Sequence, residues 1–144
     1  MRGLLQSVAL LSLIFFFTST VAAEDWVYYT RSVDSFFFDR SNINTPYEGF
    51  NNILGVWQKV VYEGESVNRI AAHLGVKYGN LKESVSMIEI DCSSKVAQIK
   101  AITFYDSGGG VIDTKSKTST DWRKIPPDSS LNALYKTVCG PRLR

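Results

Sequence analysis

A chain of 144 residues with 16 lysines and arginines against 14 aspartates and glutamates carries a formal net charge of +2. That near-balance argues against wholesale binding of nucleic acid or of an anionic membrane, both of which need a strong basic excess. Two cysteines and a single histidine also leave too few ligands for an ordinary zinc site.

At the N-terminus, Arg2 precedes an uncharged stretch from Gly3 to Ala23 whose apolar centre runs from Leu10 to Phe17. With Thr18-Ser19-Thr20 and the small-residue site Val21-Ala22-Ala23, this reads as a secretory signal peptide cleaved after Ala23, an uncleaved membrane anchor being the alternative. No cysteine lies near that site to accept a lipid. Residues 1–23 are thus assigned to the signal peptide and residues 24–144 to one domain of about 120 residues, large enough for a modest core and too small for two. No integral membrane segment is expected after cleavage, so the protein is placed in the periplasm, at the cell surface or outside the cell.

The remaining elements follow in chain order. The aromatic run W-V-Y-Y-T after Asp25 opens a first strand, and Val33 to Asp39 gives a second with Phe36 and Phe38 facing one way and Phe37 the other. Polar turn residues from Ser41 to Pro46 lead to a third strand, Ile53 to Tyr62, where Gly55 suggests an irregularity. Val67, Ile70, Ala71 and Leu74 then fall at helical spacing, with Glu65 and Ser66 suited to the start and Gly75 to a left-handed residue past the end. The stretch Ser86 to Tyr105 reads as a hairpin, and Val111 to Lys117 continues the meander after the glycine-rich turn Ser107 to Gly110. Trp122 to Pro127 is expected to leave the sheet. A last helix, capped by Asp128, Ser129 or Ser130, carries Leu131, Leu134, Tyr135 and Val138 on one face and stops at Gly140-Pro141. The fold class is α+β: one antiparallel sheet of about six strands, a C-terminal helix on one face and a short inserted helix.

In an exported chain the two cysteines favour one intramolecular disulfide, Cys92 to Cys139, which would clamp the last helix to the sheet. Strict alternation puts Ile88, Ile90 and Cys92 on the helix-covered face, with Ala97, Ile99 and Ala101 beside them. The same alternation sends Ile102 and Phe104 to the opposite face together with Phe37. That apolar surface is the candidate binding face, to be covered by a ligand or by a second copy of the chain in a homodimer.

Signals for catalysis are weak. Ser107 to Gly110 lacks the G-K-[ST] of a phosphate loop, and His73 has no second histidine one turn on. Glu89 and Asp91 share a strand face, where a carboxylate pair suits acid-base work or calcium, but a solvated strand face explains them as well. No nucleophile elbow, H-E-x-x-H pair or free catalytic cysteine is present, so no enzyme activity, no metal and no cofactor are expected. Lys115, Lys117, Arg123 and Lys124 form a basic patch around Trp122, suited to an acidic or sulfated partner or to plain solvation.

Several stretches taken together resemble the bacterial surface-adhesin protein E family: Phe37-Phe38-Asp39 with Ser41 and Ile43, Val56 to Tyr62, Ile88-Glu89-Ile90-Asp91-Cys92, Ile102 to Asp106 with its glycine turn, and Leu134-Tyr135-Lys136 leading to Val138-Cys139. The resemblance implies an antiparallel sheet with a C-terminal helix tethered by the Cys92–Cys139 bond. In adhesive members it further implies binding of host extracellular-matrix or serum proteins such as vitronectin, laminin or plasminogen. Members anchored through a lipidated cysteine differ from this chain at the signal peptide, which keeps open a soluble periplasmic or envelope-associated accessory protein with a bacterial partner.

Overall fold

A computed structural model describes residues 24–117 and 120–140, so the signal-peptide reading of residues 1–23 and the helix stop at Pro141 lie outside the described residues. The aromatic and β-branched runs form β1 (Trp26–Arg31), β2 (Ser35–Asp39), β3 (Ile53–Val61), β4 (Leu81–Asp91), β5 (Val96–Asp106) and β6 (Val111–Ser116), each antiparallel to the next in chain order. Short connections favour this meander because antiparallel neighbours need no crossover. Arg123 and Lys124 do not leave the sheet as expected: they form β7, two residues paired with Val96 and Ala97 of β5. With α1 (Gly64–Leu74), α2 (Ser130–Cys139) and a disulfide between Cys92 and Cys139, the architecture is the one the sequence predicts.

One end of one sheet face is closed by α2. Leu54 and Val56 of β3, Ile88 and Ile90 of β4, Phe38, Ala97 and Ile125 are all buried against Leu134, Val138 and Cys139 of α2, with Leu131 and Tyr135 at the flank. The helix begins where Ser129 Oγ accepts the Asn132 N–H at 3.1 Å, satisfying one of the donors a helix start leaves open. Its far end is fixed by the disulfide, with a Cα–Cα distance of 5.5 Å, and the Tyr135 hydroxyl donates to the Cys92 carbonyl at 3.2 Å.

The other end of the same face is closed by α1. Val67, Ile70 and Ala71 pack over Tyr78, Leu81 and Phe104, while Leu74, the last residue of the expected stripe, stays 45 % exposed. The helix starts earlier than Glu65 and Ser66 suggest, because Glu63 is its cap and the Glu63 N–H donates to Asp34 Oδ1 at 2.9 Å. Gly75 ends it with a φ of +113°, a conformation that side chains strain to adopt.

This overturns the expected placement of Ile102 and Phe104. Ile88 pairs with Ile99 but Met87 pairs with Ala101, so Lys100 is an extra residue in β5. A one-residue bulge exchanges the two faces for everything beyond it. Ile102 and Phe104 therefore lie opposite Ser86 and Ser84, on the covered face under α1, where Phe104 is buried and meets the Tyr78 ring edge-on at 5.3 Å. Ala101, expected beside Cys92, stands instead on the far face beside Met87. A second bulge, at Tyr29 in β1, brings that ring onto the covered face against Phe36 and Phe38.

Candidate binding face

The face away from the helices begins with Phe37, the one residue of the expected binding set that is found there. The register lays Tyr28, Phe37, Lys59, Val85 and Thr103 in one row across β1 to β5, and Trp57, Met87 and Ala101 in the next. Tyr28 and Phe37 meet edge-on at 5.7 Å, and Lys59 Nζ sits 4.5 Å from the Trp26 ring centre and 5.6 Å from that of Phe37. A cation so placed is held by the ring quadrupoles at its own centre of charge. Tyr28 is 54 % exposed and Trp57 36 %, so the rings present a broad amphipathic surface around one lysine. Trp26, Tyr28, Trp57 and Lys59 were missed in the sequence reading, although Trp57 and Lys59 share strand parity.

A loop closes one end of this face. Asn44 makes a bridge to Gly55 through backbone bonds of 3.1 and 2.8 Å. Gly55 is thus no irregularity: it pairs regularly with Glu89, and a Cβ there would collide with the Asn44 side chain and lie 2.8 Å from Met87 Cε. Three residues on, the Tyr47 hydroxyl reaches the Glu89 carboxylate at 2.9 and 3.1 Å. Gln98 Nε2 donates to Glu89 Oε2 at 2.6 Å and Gln98 Oε1 accepts the Asp121 N–H at 2.9 Å.

Glu89 and Asp91 are therefore neither a solvated pair nor an open acid-base pair. Glu89 is buried within that network. Asp91 Oδ1 holds the hairpin turn, accepting from Asn52 Nδ2 at 2.9 Å, Ser93 N at 2.9 Å and Ser94 N at 3.2 Å. Burial opposes its ionised form, but these hydrogen bonds outweigh it and lower its pKa below the usual aspartate value. In the turn Ser107 to Gly110, the N–H groups of Gly108 and Gly110 donate to the chain's own Asp106 Oδ1 at 2.9 and 2.8 Å, so a local carboxylate occupies the place a phosphate would take. His73 is exposed in the last turn of α1.

The basic patch is organised by an acid the sequence reading left out of it. Asp121 Oδ2 lies 3.0 Å from both Lys117 Nζ and Arg123 Nη2, and the Arg123 contact first, then that of Lys117, lowers the Asp121 pKa. Lys115 stands opposite Ile102 and Lys124 opposite Val96.

Comparisons with curated proteins and with solved structures give no match. The family description that does match is surface-adhesin protein E, over residues 26–140 from the start of β1 to the residue after α2, and the chain belongs to that family.

Proposed function

We propose that the protein is an exported, non-enzymatic adhesin that holds an extracellular host protein of the matrix or serum against the uncovered face of its sheet. Family membership supports a protein partner. The observation that carries the site is the cluster of exposed Tyr28 and Trp57 with half-buried Trp26 and Phe37 around Lys59, on a face neither helix covers. Aromatic residues dominate protein interfaces because they remove much apolar area from water at little cost in rotamer freedom.

Binding of the purified, oxidised protein to immobilised vitronectin, laminin and plasminogen tests this reading, with Tyr28→Lys and Trp57→Lys as variants. Capture of at least one of them, lost in the variants while their thermal melts stay in place, is the expected result. Capture that survives both substitutions would move the site elsewhere. Export with cleavage after Ala23 belongs to the same proposal, and intact-mass measurement of the exported product checks it. Resistance of the protein to protease added to intact cells would favour the periplasmic accessory role with a bacterial partner. Sedimentation of wild type and Tyr28→Lys decides whether a second copy of the chain occupies the same face.

A further inference from the structure

Neither helix covers the middle of the sheet face they share. Between the cover of α1 over Ile102 and the start of α2 at Ser130 lies a cleft of about 490 Å³, floored by Ile88, Ala97 and Ile99 and walled by Leu131. That volume falls in the range of roughly 300–1,000 Å³ occupied by small-ligand sites. Ile99 is the telling residue: its neighbours Ile88 and Ala97 on the same face are buried, yet Ile99 is 48 % exposed. Ile99 is therefore an apolar side chain left open to water on the face between the two helices.

The mouth of the cleft has a definite charge. Lys117, Arg123 and Lys124 line it with Asp121 as the opposing acid. One carboxylate oxygen of Asp121 serves both Lys117 and Arg123, and Lys124 has no ion pair among the described residues. Three cations against one carboxylate leave a positive excess beside an apolar floor.

We propose that this cleft binds a small single-tailed amphiphile with an anionic head, its carboxylate at Lys124 and Arg123 and its tail laid over Ile99 and Ile88 against Leu131. The tail gains by removing apolar surface from water on both sides, and the head gains a charge-assisted contact that a neutral or cationic head would lack. The cleft lies on the opposite side of the sheet from the aromatic face, so the failure of either proposal leaves the other standing.

Methyl NMR spectra of the oxidised protein, titrated with decanoate, butyrate and decyltrimethylammonium, test the assignment. Decanoate is expected to shift the Ile99, Ala97 and Leu131 methyl signals saturably, with butyrate and the cationic amphiphile leaving them in place. Ile99→Trp fills the cleft from a position that is already exposed and should abolish the shifts with the melting transition retained. Lys124→Glu should weaken decanoate roughly tenfold, the order of one charge-assisted contact. The proposal is overturned if decanoate produces no shift, if its shifts persist in Ile99→Trp or fall only on the Met87 and Ala101 methyls of the far face, or if decyltrimethylammonium binds as well as decanoate.

Discussion

Tyr78 and Asp113 show how one side chain ties α1 to the sheet edge. The buried Tyr78 hydroxyl donates to Asp113 Oδ2 at 2.6 Å, and Lys77 Nζ approaches the same oxygen at 3.0 Å. The Tyr78 bond first, and Lys77 second, hold the Asp113 pKa down to about 2, while the same bond raises Tyr78 to about 12. A depressed carboxylate pKa stabilises the fold above its unfolded value, and that contribution is lost as pH falls from near 4 through about 2. In Tyr78→Phe, an NMR titration of Asp113 should therefore show its midpoint moved up toward the ordinary 3.8; a midpoint that stays near 2 would leave Lys77 as the cause. Phe104 gives the second residue-scale prediction. Truncating a buried phenylalanine costs about 3–5 kcal/mol, so Phe104→Ala should lower the denaturation midpoint sharply without touching ligand capture. An unaffected melt would return that ring to the solvent side.

Among the elements, α2 depends on its covalent tether more than on its length. A helix of 10 residues is marginal by itself, and it holds its place through Leu134, Val138 and Cys139 in the core. The disulfide spans a sequence separation of 47 residues, which in the chain-entropy account is worth about 4 kcal/mol. Cys139→Ser should lower stability in urea by about that amount relative to oxidised wild type, with reduced wild type as the control that should match the variant. A loss much below 1 kcal/mol would mean that packing alone secures the helix. The Lys100 bulge is the other element-scale device. Its extra residue lets one strand serve α2 with Ala97 and α1 with Phe104 on the same face, so deleting Lys100 should send Ile102 and Phe104 to the far side and unfold the α1 end first, as amide exchange would read.

For the whole molecule, the result is a sheet with two unlike faces. One carries both helices and the core, and the other carries rings, Lys59 and the loop pinned by Tyr47 to Glu89. Tyr47→Phe should release that loop, raising amide exchange across residues 44–52 while the α2 core keeps its protection, because Tyr47 supplies two contacts to Glu89. Interface aromatics that act as anchors cost about 2 kcal/mol or more when removed. Tyr28→Lys and Trp57→Lys are thus expected to reduce adhesion at least tenfold each with little change in the melt, since both side chains are already in contact with water.

Much of this was legible from residue order alone. Period-2 runs such as Ile88-Glu89-Ile90, helical spacing such as Leu131, Leu134 and Val138, and two cysteines with no third determined the strands, the C-terminal helix and their covalent link, because each signal is local or has one solution. Gly75 and Ser129 marked helix ends for the same reason: a left-handed φ and an open N–H donor are requirements of the backbone itself. What only the tertiary structure decided was which way side chains point beyond a break in alternation. A bulge at Lys100 or Tyr29 leaves no mark in composition, since any residue type can be the extra one, yet a shift of one residue exchanges the faces. For that reason Ile102 and Phe104, assigned by parity to the uncovered face with Phe37, belong to the core under α1.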